Sequence, residues 1–239
     1  MSSLALEILR SGEVVGADGR RFRLADHISE RQGRFLQSLV RDLRPGVSLE
    51  VGLASGISAL FLCEELKRVG AKRHIIIDPF QAAGFQNVGL ENLRRAGVLD
   101  LVDFREAPSH SELPRLASQG VEIDFAFIDG MHTFDYALLD FFYIDRMLRI
   151  GGIVAFDDAN WPALRKLIRY VLRNRAYRCF ASLPKQLGLG KRFRRYGSSG
   201  ALRELVADRR LGLAIPHSRC VALEKVGNDD RSTDYHRDF

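Results

Sequence analysis

The sequence contains little that would staple or anchor a fold. Its three cysteines, Cys63, Cys179 and Cys220, are far apart and form no pair with the spacing of metal ligands. They are therefore expected to be reduced, mostly buried thiols of a cytoplasmic protein. No run reaches the ~18 apolar residues of a membrane span, and the N-terminus lacks the basic start and apolar stretch of a signal peptide. The sequence predicts a soluble protein.

No nucleic-acid motif accompanies the positive charge of the chain. The formal net charge is +6, and arginines and lysines concentrate in residues 165–178 and 191–195. Such stretches could attract a nucleic acid or an acidic substrate. Because aromatic residues are not interleaved with them, a solvated helix face and a basic loop are the preferred explanation. A small-molecule partner is expected in place of a nucleic acid or a membrane.

Short β-branched runs alternate with helix-length amphipathic segments, which is typical of a parallel sheet covered by helices. The predicted fold class is α/β: a Rossmann-like doubly wound sheet, mostly parallel with an antiparallel last strand, and helices on both faces. The helix over 135–148 is expected to stop at Gly151-Gly152. Strands are predicted at 47–51, 74–78, 101–105, 123–129, 153–157, 177–183 and 219–225, and helices at 56–69, 82–96, 109–119, 135–148 and 161–174.

A glycine turn follows the strand predicted at 47–51. Gly52 and Gly56 let the backbone turn tightly and approach a ligand closely, at the sheet edge where open α/β sheets bind ligands. The spacing G-x-x-x-G, with Ala54 in the middle, is not the G-x-G-x-x-G of a dinucleotide site. Glu50, just before the turn, would repel a pyrophosphate and favour a cationic ligand.

An aspartate is expected to hold a ribose next to this turn. Asp78 ends the second core strand and could accept both ribose hydroxyls. Together, Asp78 and the glycine turn predict a nucleoside site that lacks a phosphate contact and prefers a positively charged ligand. S-adenosylmethionine is such a ligand. Two alternatives stay open: Gly52 and Gly56 could serve only a tight turn, and Asp78, followed by Pro79, could cap the next element.

With these motifs in this order, the chain resembles the class I S-adenosylmethionine-dependent methyltransferases over residues 45–183. The first motif of that family matches E-x-G-x-x-x-G at 50–56, and the acidic residue that holds the ribose matches Asp78. The loop at 106–109 falls where the family lines the adenine. The resemblance implies that the cofactor is bound by Glu50, Gly52, Ala54, Ser55, Gly56, Ser58, Asp78, Ala107, Pro108 and Asp129.

Two further strands end in carboxylates at the same predicted edge. Asp129 follows the fourth core strand, and Asp157 and Asp158 follow the fifth. These groups should repel one another unless a cation or protons intervene. Mg²⁺ is the natural candidate because it prefers oxygen ligands.

The carboxylate pattern is similar to that of the metal-dependent small-molecule O-methyltransferases, which include catechol O-methyltransferase and bacterial enzymes that tailor antibiotics and sugars. Asp158 stands where that group has an asparagine, and His132 stands where the catechol enzymes have a catalytic lysine. The resemblance implies that Asp129, Asp157 and Asp158 hold Mg²⁺, and that His132 and Asp129 are catalytic, with His132 as the base.

Several alternatives to this site remain open. Asp157 could cap a helix, Asp158 or Asn160 could cap the helix that starts at Trp161, and His132 could be an ordinary hydrogen-bonding residue. The Asp-Gly-Met-His loop differs from the Asn-Pro-Pro-Tyr-like loop of amino-directed methyltransferases, so the resemblance points to an oxygen acceptor. An RNA or protein methyltransferase that uses the basic stretches, and a non-catalytic nucleoside-binding protein, are the alternative functions.

The chain is predicted to be a single methyltransferase domain over residues 1–239. Its N-terminal cap and its insertion are expected to build the acceptor pocket, and an exposed N-terminal helix could mediate a homodimer. The predicted segments are a helical cap at 1–35, a nucleoside-binding core at 45–183, an insertion or lid at 184–216 and a polar tail at 227–239.

Overall fold

A seven-stranded sheet forms the centre of the molecule. The computed structural model describes residues 4–184 and 218–236. In chain order, the elements are α1 (Leu4–Ser11), β1 (Glu13–Val15), β2 (Arg21–Arg23), α2 (Glu30–Leu43), β3 (Val47–Val51), α3 (Ile57–Val69), β4 (Arg73–Ile77), α4 (Val88–Arg95), β5 (Val102–Arg105), α5 (Ser109–Ser118), β6 (Ile123–Ile128), α6 (Phe134–Met147), β7 (Leu148–Phe156), α7 (Pro162–Asn174), β8 (Tyr177–Pro184) and β9 (Ser218–Lys225).

The strand order confirms the predicted fold class. The order is β5-β4-β3-β6-β7-β9-β8. The first five strands of this order are all parallel to one another, and β9 is antiparallel to both β7 and β8. The chain runs outward from β3 to β5 and then returns to β6 on the other side of β3. Such a reversal opens a crevice beyond the carboxyl ends of the strands.

Helices cover both faces of the sheet, as predicted. One hydrophobic cluster packs α1 to α4 against one face, and a second packs α5 to α7 against the other. All three cysteines are free, and Cys63 and Cys220 are buried. Within the described ranges, none of the helices is both long and apolar enough to cross a membrane.

Two predicted helix boundaries were wrong. The helix predicted at 82–96 starts only at Val88, because Gln86 and Asn87 take left-handed backbone angles (φ 45° and 58°) that end the turn before it. The helix predicted to stop at Gly151-Gly152 ends at Met147, and β7 already begins at Leu148. Both glycines therefore lie inside a strand, where Gly151 has a φ of 79°.

The N-terminal segment contains more than the predicted helix. Strands β1 and β2 form an antiparallel hairpin, closed by a turn in which the Gly16 N–H donates to the Arg20 carbonyl at 2.9 Å. Helix α2 begins inside the predicted cap. Most of the predicted insertion, residues 185–216, lies outside the described residues.

Helix α2 packs unusually closely on α3. Gly33 of α2 faces the ring of Phe61, and a Cβ at position 33 would overlap that ring. The Phe61 side chain is fully buried, so it has little room to move. Only glycine allows α2 to approach α3 this closely.

We predict that Gly33→Ala destabilises the protein. Alanine in a helix interior is intrinsically favoured over glycine by about 1 kcal/mol, but overpacking a core costs about 1–3 kcal/mol, so the overlap should dominate. Urea denaturation would measure the free energy of unfolding. Arg31→Ala, at an exposed position of the same helix, serves as the control. A Gly33→Ala variant at least as stable as the wild type would contradict this packing.

Candidate functional site

The glycine turn connects β3 to α3 at the carboxyl edge of the sheet. Gly52 and Gly56 have left-handed backbone angles, with φ of 94° and 80°. A Cβ on Gly52 would overlap the carbonyl oxygen of Asp129, and one on Gly56 would lie 3.0 Å from the Gly89 carbonyl oxygen. Both glycines are therefore required by backbone conformation and by close packing. Ala54, between them, is also left-handed at φ 46°.

Asp78 braces this turn. It follows β4 directly and is buried. Its Oδ2 accepts the backbone N–H groups of Leu53 at 2.8 Å and Ala54 at 2.9 Å, and its Oδ1 accepts that of Phe80 at 2.7 Å. The contact with Phe80 is the one expected if Asp78 caps the next element. Gln81 Nε2 also donates to Oδ2, at 3.4 Å, so Oδ1, which accepts only the Phe80 N–H, is the oxygen with an acceptor position left for a ligand hydroxyl.

A buried acid lies beneath the turn. Glu50 Oε2 lies 3.0 Å from His74 Nε2, and His74 Nδ1 lies 2.8 Å from Ser48 Oγ. Glu50 Oε1 is buried and has no hydrogen-bond partner among the described residues. A buried acceptor without a partner requires a donor or a cation from elsewhere. Sequence reasoning overlooked His74, the polar residue directly before the three isoleucines of β4.

The other predicted cofactor residues lie around the same edge. The Ser55 hydroxyl donates to the Ala25 carbonyl at 2.6 Å, and Ser58 is buried in the first turn of α3. Ala107 and Pro108 follow β5, with Pro108 at the start of α5. Together with the glycine turn and Asp78, these residues form an arc beyond the ends of β3, β4 and β5.

Three aspartates meet beyond β6 and β7. The Asp129 N–H donates to the Val51 carbonyl at 3.0 Å, and the Asp157 N–H donates to the Ile128 carbonyl at 3.1 Å, so the ends of β3, β6 and β7 lie side by side. His132 Nε2 lies 3.5 Å from Asp129 Oδ1 and 4.0 Å from Asp158 Oδ2. The predicted acidic residues and His132 are thus brought together.

Arg219 supplies a positive charge that sequence reasoning missed. Its Nη1 lies 3.5 Å from Asp158 Oδ1, and its carbonyl accepts the Ala159 N–H at 3.0 Å. Arg219 belongs to β9, so its place depends on the antiparallel pairing of β9 with β7. No local pattern in the sequence could have placed it there.

The cluster shifts the pKa of its members. Burial and the negative charges of Asp129 and Asp158 raise the pKa of Asp157 to about 8, and burial raises the pKa of Asp129 to about 6. Burial alone would lower the pKa of His132, but Asp129 and Asp158 outweigh it and raise that pKa above 6.5. The neighbouring carboxylates therefore favour the protonated imidazole, which opposes a role as base.

The donor set suits a hard cation, although its atoms do not converge. Within residues 4–184 and 218–236, no group of three or more His, Cys, Asp or Glu side chains is arranged to hold a metal ion. One Asp157 oxygen accepts Gln32 Nε2 at 2.6 Å, and Asp158 Oδ1 is buried without a hydrogen-bond partner among the described residues. Carboxylate oxygens are the ligands that Mg²⁺ prefers, so the metal site stays a prediction.

Large apolar side chains are exposed in the segments that follow three of the parallel strands. Phe80, Met131 and Trp161 are 56%, 55% and 47% exposed, and they follow β4, β6 and β7. The Trp161 ring centroid lies 5.2 Å from that of His132. Such a surface suits flat, partly apolar ligands.

A sequence match agrees with the strand order and the glycine turn. Residues 49–159 match a family described as a methyltransferase domain. The fold is the Rossmann-like fold predicted from the sequence, and the chain resembles the class I S-adenosylmethionine-dependent methyltransferases over this core.

The curated relatives that the chain matches include O-methyltransferases. It is 31% identical over 140 residues to a caffeoyl-CoA O-methyltransferase of Populus kitakamiensis, covering 56% of this chain and 55% of that protein. It is 29% identical over 153 residues to a catechol O-methyltransferase of Mycobacterium tuberculosis, covering 59% of this chain and 67% of that protein. The chain thus matches a little over half of the length of the caffeoyl-CoA relative.

Solved structures show the same fold. An O-methyltransferase from Bacillus cereus in complex with S-adenosylhomocysteine has a TM-score of 0.65 at 18% identity, over 95% of this chain and 92% of that one. The O-methyltransferase TomG from Streptomyces achromogenes, in complex with S-adenosylmethionine, has a TM-score of 0.62 at 18% identity, over 84% of this chain and 82% of that one.

We predict that Asp157 makes stability depend on pH. Its pKa rises from 3.8 to about 8 on folding, so in this interval the folded protein binds more protons than the unfolded chain. The contribution of Asp157 to the free energy of unfolding is therefore full below pH 3.8 and is lost as pH rises through about 8. Asp157→Asn should gain stability relative to the wild type as pH rises.

Chemical denaturation across this pH range would measure the difference. Asp234→Asn, at an exposed position, is the control, and its curve of unfolding free energy against pH should run parallel to that of the wild type. Parallel curves for Asp157→Asn as well would show that the Asp157 carboxyl is not perturbed.

Proposed function

We propose that this protein binds S-adenosylmethionine and transfers its methyl group to a hydroxyl of a small molecule. One observation carries the proposal: the glycine turn, Asp78 and the Asp129-Asp157-Asp158 cluster with His132 all lie at one edge of the sheet. The proposed nucleoside site and the proposed proton-transfer site would thereby be adjacent. The O-methyltransferase relatives, and the cofactor complexes of two structural neighbours, support this assignment.

The cofactor site is suited to a sulfonium nucleoside. Buried Glu50 retains an oxygen without a partner among the described residues, and Asp129 adds further negative charge, so a positive ligand is favoured electrostatically. The glycines allow close approach of the backbone, and Asp78 would accept the ribose hydroxyls. The proposed cofactor residues are Glu50, Gly52, Ala54, Ser55, Gly56, Ser58, Asp78, Ala107, Pro108 and Asp129.

Methyl transfer requires alignment and removal of one proton. The sulfonium is already activated, so the protein mainly aligns the acceptor oxygen, the methyl carbon and the sulfur. His132 is the proposed base and Asp129 orients it; because the pKa of His132 is raised, the neutral imidazole that can accept a proton becomes the major form only at a higher pH than for a free histidine. Asp129, Asp157 and Asp158 would hold Mg²⁺, which would lower the pKa of the acceptor hydroxyl. The exposed Trp161 and Met131 favour an aromatic acceptor.

Binding of S-adenosylhomocysteine would test the cofactor assignment. We predict that calorimetry detects one bound S-adenosylhomocysteine per chain and that NAD does not compete. Glu50→Gln should weaken this binding because it removes the buried negative charge. Glu122→Gln, at an exposed position, is the matched control. Absence of S-adenosylhomocysteine binding, or equal binding of NAD, would overturn the assignment.

Methyl transfer to catechol, used as a probe acceptor, would test the chemistry. We predict that His132→Gln reduces transfer by about 10²-fold or more, while binding of S-adenosylhomocysteine is retained. In the wild type, the rate should still rise with pH above 6.5 because the His132 pKa is raised. Transfer to RNA with a steep salt dependence, and none to catechols, would favour a nucleic-acid acceptor instead.

A further inference from the structure

The segment that leads into α2 is tied to both halves of the site. The Ala25 carbonyl accepts the hydroxyl of Ser55 at 2.6 Å, next to the glycine turn. Gln32 Nε2 donates to Asp157 Oδ1 at 2.6 Å, and both of these side chains are buried. Residues 25–32 therefore span the sheet edge from the glycine turn to the acidic cluster.

The orientation of the Gln32 amide is fixed by its other contacts. Gln32 Oε1 accepts the Ser29 backbone N–H at 3.0 Å and the Ser29 hydroxyl at 2.7 Å. A backbone N–H can only donate, so the amide atom that faces it must be the oxygen. The amide nitrogen is consequently turned to Asp157, which must accept.

The helix that carries Gln32 has no freedom to retreat. Gly33, the next residue, lies against the buried ring of Phe61, and Ser29 and Gln32 form a capping box that begins α2. Packing fixes the position of the Gln32 backbone, and the capping box fixes its side chain. The contact to Asp157 is therefore preorganised.

We propose that Gln32 is a positioning residue that holds the Asp157 carboxylate in the acidic cluster. The proposal rests on the proposed function, which gives that cluster its role. When Asp157 is ionised, Asp129 and Asp158 repel it, and without a fixed donor its carboxylate would turn away from them. The hydrogen bond from Gln32 holds Asp157 Oδ1 in place and thereby sets the direction in which Oδ2 points.

Three variants separate this role from helix capping. Gln32→Met removes both the cap and the donor. Ser29→Ala removes the capping side chain but keeps the Gln32 donor, which the Ser29 backbone N–H still orients. Gln32→Glu keeps a capping-box residue at this position but places an acceptor opposite Asp157.

Titration of Mg²⁺ into the protein, followed by calorimetry, is the first measurement. Loss of a side chain that orients a metal ligand weakens metal binding by about 10–100-fold, so we expect this loss for Gln32→Met and Gln32→Glu and none for Ser29→Ala. Binding of S-adenosylhomocysteine should be retained in all three. Equal weakening by Ser29→Ala and Gln32→Met, or no weakening by either Gln32 variant, would overturn the proposal.

Crystal structures of the wild type and Gln32→Met are the second measurement, and they need no metal. We expect the Asp157 carboxylate to change rotamer in the variant. If the wild type gives no Mg²⁺ heat, the metal part of the proposed function fails, and the Asp157 rotamer alone decides the role of Gln32. An Asp157 carboxylate that keeps its wild-type rotamer in Gln32→Met would overturn that role.

Discussion

The site depends on holding like charges together against their repulsion. Asp129, Asp157 and Asp158 lie at the ends of neighbouring strands, where burial weakens the solvation that would screen them. Three side chains from other elements contact these aspartates: His132 from the loop before α6, Arg219 from β9 and Gln32 from α2. The parallel sheet brings the acids together, and these three groups keep them in place.

Much of the core was predictable because its signals are local. The three isoleucines of β4 and the apolar run of β6 require burial on both faces, which only a central parallel strand provides. Gly52 and Gly56 sit where the backbone is left-handed, and Asp78 follows directly on β4. The wrong helix end near Gly151-Gly152 also came from a local signal, because a glycine often follows the end of a helix. Here Leu148 is buried and pairs with Ile123, so the strand starts before the glycines.

The support of the site was not predictable, because it is made by residues far apart in the chain. Gln32 contacts an aspartate 125 positions away. The sequence around Gln32 is that of an ordinary helix cap, and it does not reveal that the same side chain also contacts Asp157. Arg219 lies beside Asp158 only through the β7–β9 register. His132 lies 3.5 Å from Asp129, but the direction of its pKa shift depends on burial and on the charges of Asp129, Asp157 and Asp158, which sequence spacing does not reveal.

The pairing of Pro184 with Ser218 has a consequence for how this scaffold can vary. Pro184 ends β8 and Ser218 begins β9, one position before Arg219, whose side chain contacts Asp158. Because the last residue of one strand pairs with the first residue of the next, the register of the two strands does not depend on how many residues connect them. The number of residues between positions 184 and 218 can therefore change without moving Arg219 relative to Asp158.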